Sequence, residues 1–149
     1  MLISLGLFAQ QDPIFTHYMF NLSNVNPGAA GHNDFASVLN INRYQWVGMD
    51  GAPKTYSVNA DVPIIKFNCG AGFTYLFDKI GPERTNNVYV DYAYHLKVTD
   101  NIKLGLGLKA GFRVFSANLN DLSSVNDPQF SSNINGKVTP NFGVGAFLY

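Results

Sequence analysis

Charge is scarce in this chain. Asp, Glu, Lys and Arg make up 13% of the residues, where soluble domains average about 25%. The ten basic and ten acidic side chains cancel, which removes the broad positive field that nucleic-acid binding needs. There is one cysteine, Cys69, so an intramolecular disulfide and a cysteine-based zinc site are both excluded. His17, His32 and His95 lack metal-ligand spacing, and the serines and carboxylates form no nucleophile motif. No run of about 20 apolar residues occurs, which excludes a transmembrane helix. The spaced glycines of Gly105–Gly111 fall inside an alternating stretch and not at a strand-to-helix turn, so they do not read as a phosphate loop. The expectation is a protein that is not an enzyme and carries no cofactor or metal.

What is present is alternation. From Thr55 to Val62, Tyr56, Val58, Ala60 and Val62 share one face, and Thr55, Ser57, Asn59 and Asp61 the other. The same pattern runs from Val88 to Val98 and from Ile102 to Val114. A period of two marks strands with one oily and one polar face. Strands are expected at about 35–46, 54–63, 67–78, 86–98, 102–115 and 140–149. Runs of about 10 to 14 residues exceed the usual globular strand and suit a tilted crossing of a hydrocarbon slab. Aromatics reach 14%, with 12 Phe and 8 Tyr, as a lipid-facing wall with interfacial girdles requires. The fold expected is all-β, an antiparallel up-and-down transmembrane barrel of outer-membrane type. Six strands are fewer than the roughly eight of the smallest single-chain barrels, so an incomplete portion is expected.

The connections are expected to alternate in length. Trp46–Lys54 reads as a loop, Pro63–Lys66 as a tight link, and Lys79–Asn86 as a second loop. Thr99–Asn101 reads as a tight turn, and Ser116–Thr139 as the longest loop. Outer-membrane barrels put short turns on the periplasmic side and loops outside. The regions of Asp50, Glu83 and Asn126 are thus expected outside, and Asp100 in the periplasm. Residues 1–9, an apolar run, read as the remnant of a signal peptide, with a buried first strand as the other reading. Residues 10–34 read as a periplasmic or plug segment, and 35–149 as the partial barrel.

Candidate functional residues follow from the faces. Leu106 and Val90 are expected to face lipid. The polar wall carries Gly70, Gly72, Gly105, Gly107, Gly111, Gly143 and Gly145. Glycine weakens a strand unless curvature or close approach needs it. Curvature is the plain reading, and the sharper one is a segment packed on a smooth inner wall. Phe15, Tyr18 and Phe20 are the candidate plug. Asp91, His95, Lys97, Lys103, Lys109 and Arg113 share the polar face, as solvated or paired lumen charges or as a selectivity ring. Trp46, at a strand end, is the candidate interface aromatic, with loop packing or a partner contact as alternatives. Cys69 reads as a small lipid-facing or packed residue.

Several pieces together carry a family resemblance. These are Gln11-Asp12-Pro13 with Phe15, Tyr18 and Met19; Asn26-Pro27 with Ala30-Gly31; and Gln45-Trp46 followed by Gly51-Ala52-Pro53-Lys54-Thr55. Asp127-Pro128 with Phe130 falls where family members carry a similar loop. The chain closely resembles the PorP/SprF family, outer-membrane proteins of the type IX secretion and gliding apparatus of Bacteroidetes. The resemblance implies an outer-membrane location and a structural or adaptor role. Its implied partners are outer-membrane lipid, periplasmic and outer-membrane components of the secretion system, and secreted or surface adhesin clients. The residues alone leave two other functions open: a passive porin-like solute channel, and a soluble ligand-binding barrel with its oily face inward.

Overall fold

The computed structural model of the protein describes residues 22–118 and 134–149. A single helical turn, α1 (Leu22–Val25), leads into a 3-10 turn at Pro27–Ala29. Six strands follow: β1 (Ser37–Tyr44), β2 (Lys54–Ile64), β3 (Cys69–Ile80), β4 (Glu83–Thr99), β5 (Ile102–Ala117) and β6 (Ile134–Leu148). They form one antiparallel sheet in sequence order, with each strand hydrogen-bonded to the next. Among the described residues β1 and β6 are the two edges of that sheet.

The alternation expected of β2, β4 and β5 sets the register. Asp61, Gly72, Asp91, Lys109 and Gly143 lie in one row across β2 to β6, and Ala60, Phe73, Val90, Ala110 and Phe142 lie in the next. Since side chains alternate, the first row lies on one face and the second on the other. Burial is inverted with respect to polarity. Ser57, Asn59, Thr74, Asn87 and Asp91 are all buried, while Val90 is 56% exposed, Phe142 78% and Val144 81%. The polar face is the covered, inner face, and the apolar face is bare. Cys69 is buried, with its Sγ 2.9 Å from the Tyr92 hydroxyl. β1 breaks the pattern: Leu39 and Ile41 point inward, and Asn40 and Asn42 are exposed on the outer side.

The connections correct the expected alternation of loop lengths. Gln45–Pro53 is a loop as expected, closed by the Gln45 N–H donating to the Pro53 carbonyl. The loop expected at Lys79–Asn86 is instead the tight turn Gly81–Pro82, since Ile80 pairs with Glu83 and Lys79 with Arg84. Gly81 has φ +57°. Positive φ at the first central position followed by proline suits a primed hairpin turn, which matches strand twist. Charged residues there had read as loop, yet a strand end beyond an oily wall is free to carry them. Glu83, expected in a loop, thus opens β4. β6 begins at Ile134 and not near 140. Pro140 hides this from a sequence reading; among the described residues β6 has β5 as its one neighbour, which leaves a side of the strand on which proline's missing N–H breaks no ladder. The link between β2 and β3 is a 3-10 turn at Ile65–Phe67, ended by Asn68 in the left-handed region (φ 50°, ψ 40°), which asparagine visits more readily than most residues. Asp100–Asn101 is tight, with Thr99 paired to Ile102.

Candidate functional site

The residues from Leu22 to His32 form a strap across the inner face of β3 to β6. Asn26 starts the 3-10 turn: its Oδ1 accepts from the Gly28 N–H at 3.0 Å, and Pro27 follows with φ suited to a first helical position. The same Asn26 side chain donates from Nδ2 to the Ala146 carbonyl of β6 at 2.8 Å. Ala29 and Ala30 are fully buried. Small residues on the strap meet small residues on the wall, so main chain lies against main chain.

The glycines of the wall divide into those the strap needs and those it does not. A Cβ on Gly70 would overlap the Ala30 carbonyl; one on Gly105, the Gly28 carbonyl; one on Gly107, the Pro27–Gly28 peptide; and one on Gly145, the Asn26 amide. Gly72 lies between two carboxylates, with its would-be Cβ 3.1 Å from Asp61 Oδ1 and 3.3 Å from Asp91 Oδ2. Gly111 is crowded by Val88 and Tyr89 of the neighbouring strand, and Gly143 has ordinary room, 3.5 Å to the Lys109 Cβ. Close approach therefore accounts for Gly70, Gly105, Gly107 and Gly145. At Gly111 cross-strand crowding applies instead.

Polar contacts clip the strap down. Ser23 Oγ donates to Asp61 Oδ2 at 2.9 Å. Lys109 Nζ donates to the carbonyls of Ser23 and Asn24 at 3.2 and 3.0 Å, the end of α1 where orphan carbonyls favour a cation. The same ammonium sits 3.2 Å from Asp91 Oδ1. His95 Nε2 donates to the Ala30 carbonyl at 3.0 Å, which leaves Nδ1 to accept from the Tyr149 hydroxyl at 3.1 Å. Of the polar-face charges singled out in the sequence, Lys109 and Asp91 pair across strands, Arg113 donates to Asn87 at 3.0 Å, and Lys103 lies over the Tyr149 ring. Among the described residues no group of three or more His, Cys, Asp or Glu converges on one point.

The candidate plug residues Phe15, Tyr18 and Phe20 lie outside the described residues. The covering segment that the structure does show, Asn26–Gly31, falls within residues 10–34, which read as a periplasmic or plug segment, but it contains none of the three candidate plug residues. Its signal was legible: a run of small residues, NPGAAG, opposite stripes of glycine. Trp46 sits in the loop beyond β1 and not on the strand; it is 67% exposed with φ 50°.

The two kinds of glycine give a direct prediction. A strand glycine replaced by alanine gains about 0.5–1 kcal/mol when nothing is in the way. Gly143→Ala should thus be neutral or stabilising, while Gly107→Ala should lift the strap. With Cys69→Ala as background, a cysteine at the buried Ala29 should stay unreactive to a soluble maleimide in Gly143→Ala and label quickly in Gly107→Ala. Equal labelling in both would mean that the glycines serve curvature alone.

Among the described residues the inner wall is strapped and charge-lined, and the outer wall is bare and apolar. The comparisons with curated proteins and with solved structures give no match. The comparison with family models does, over residues 7–149, to the type IX secretion system membrane protein PorP/SprF. That match takes in nearly the whole chain, and the chain therefore belongs to the PorP/SprF family of type IX secretion system membrane proteins.

Proposed function

We propose that the chain forms part of an outer-membrane β-barrel that serves type IX secretion as a structural adaptor for secreted or surface-attached client proteins. One observation carries the membrane half of this reading: the polar face of the sheet is covered and the apolar face is bare. In water such a face is a liability, since soluble monomers rarely expose contiguous apolar patches beyond a few hundred Å². In lipid it is the stable arrangement, and strands suffice to cross when every backbone group is paired. Further strands between β6 and β1 complete the barrel. Residues 1–9 act as an export signal, 10–34 as the segment that enters the lumen, and 35–149 as barrel wall. Membership of a family of type IX secretion system membrane proteins supports the adaptor half of the reading, as does the strap, which fills wall space that a passive pore would leave to water. Gln45–Pro53 lies outside the cell, and Asp100–Asn101 faces the periplasm.

One experiment tests both location and sidedness. Cells carrying Asp50→Cys or Asp100→Cys, in the Cys69→Ala background, are labelled with an impermeant maleimide, and their membranes are then washed with carbonate. The chain should stay with the membrane, Asp50→Cys should label on intact cells, and Asp100→Cys should label only after the outer membrane is opened. Release into the soluble fraction ends the membrane reading, and reversed labelling inverts the topology.

A further inference from the structure

The outer face holds a row of like charges at the loop end of the sheet. Lys54 of β2 pairs in register with Lys79 of β3, and Lys79 pairs with Arg84 of β4. All three are two residues from outward-facing positions, Tyr56, Phe77 and Asn86, and so share the outer face. Side chains directly opposite on neighbouring strands have Cβ atoms about 4.5–5.5 Å apart, and like charges so placed repel. Their neighbours in sequence do not relieve this. Asp78 and Glu83 are one residue out of phase and belong to the other face, where Asp78 Oδ1 accepts from Thr55 Oγ1 at 2.7 Å. Among the described residues no carboxylate pairs with any of the three, and the ion pair present joins Lys109 to Asp91 on the inner wall.

The row's position identifies what it suits. On one side is the open end of the sheet. On the other, the aromatic pair Tyr56 and Phe77 packs at 5.9 Å between ring centroids. Tyr44 joins it through a hydroxyl–hydroxyl bond of 2.8 Å to Tyr56. Below these runs the apolar wall of Val58, Tyr75 and Val88. A free anion would meet only the charges. An anion carrying hydrocarbon chains would meet the charges with its head and the wall with its tails. Resting on the membrane reading above, we propose that Lys54, Lys79 and Arg84 form a binding site for the phosphorylated headgroup of a membrane lipid, whose acyl chains lie along the outer wall.

The test uses the full chain, first inserted into phosphatidylcholine vesicles to establish that it enters a bilayer. It is then folded in neutral detergent and offered phosphatidic acid or phosphatidylcholine, and the lipid retained is counted by native mass spectrometry. Three charge-assisted contacts should favour phosphatidic acid about tenfold or more, and added salt should reduce the preference because the site is exposed. The triple variant Lys54→Gln/Lys79→Gln/Arg84→Gln should lose the preference yet still enter phosphatidylcholine vesicles. Lys54→Arg/Lys79→Arg should keep it, and so should Lys66→Gln/Lys97→Gln/Lys103→Gln, which removes as much charge elsewhere. Equal retention of both lipids by the unaltered chain overturns the proposal, as does undiminished preference in the triple glutamine variant or loss of preference in the arginine variant. Displacement by inorganic phosphate at the lipid's own concentration also overturns it, by making the row a small-anion site. Failure of the unaltered chain to enter the vesicles overturns the membrane reading and the lipid site together.

Discussion

Lys109→Met should cost the folded protein about 3–5 kcal/mol, the penalty for stranding one half of a buried ion pair. Asp91 is 1% exposed, and Lys109 is the cation beside it, with Nζ 3.2 Å from Oδ1. That contact is an ion pair by distance, although neither Asp91 oxygen receives a well-aligned hydrogen bond. Removing the ammonium leaves a carboxylate with no donor in a covered wall. It also places that carboxylate across Gly72 from Asp61, a second carboxylate with an unpartnered oxygen. The substitution releases the strap as well, because Lys109 holds the carbonyls of Ser23 and Asn24. The double variant Asp91→Leu/Lys109→Met should recover most of the loss, because an apolar pair in place of a buried ion pair is often neutral. Lys103→Met removes a half-buried ammonium over the Tyr149 ring, an interaction of about 0.5–2 kcal/mol, and should cost less. Urea titration of the folded chain in lipid, read by fluorescence, measures all three. A loss in Lys109→Met no greater than that in Lys103→Met would show that Asp91 is solvated.

Lys109 also shows what was legible in the sequence and what was not. Its face follows from a period of two, and so do the faces of Asp91 and of every glycine in the row. Periodicity of this kind gave the strands at the centre of the sheet, because one residue of slip there moves every side chain to the wrong side. The partner of Lys109 across the strands requires register, which the tight turn at Asp100–Asn101 supplies. Its partners on the strap require a long-range fold and had no local signal beyond small residues. Elements at the margins misled. Lys79 and Arg84 read as part of a loop around Gly81-Pro82, yet they pair in register at the ends of β3 and β4. Pro140 and Gly136 concealed the first turns of β6. In β1 the short alternation of Leu39 and Ile41 with Asn40 and Asn42 runs opposite to its neighbours, and only its pairing with β2 assigns the faces.

The bare outer wall makes the other large prediction. Leu108 is 59% exposed on β5, flanked in register by Tyr92 of β4 and Val144 of β6. It lies near the middle of its strand, so in a bilayer it sits near the midplane. An arginine on the lipid face there costs about 2–4 kcal/mol, because the guanidinium must be dragged into hydrocarbon or must thin the bilayer around itself. Leu108→Phe keeps the surface apolar and should cost little. Lys109→Arg, one residue along but on the inner face, keeps a cation where Asp91 already receives one. The three variants share backbone, strand and depth, and differ in which side of the wall the change falls and in its charge. In reversible folding into vesicles followed by denaturant titration, Leu108→Arg should stand alone as destabilised. The same variant in a water-soluble barrel with its oily face inward would fail to fold at all, and in a sheet whose outer face met water it would be harmless. A loss of about 2–4 kcal/mol that appears in lipid and shrinks when the residue is moved toward the strand end, as in Leu96→Arg, belongs to a wall that faces hydrocarbon.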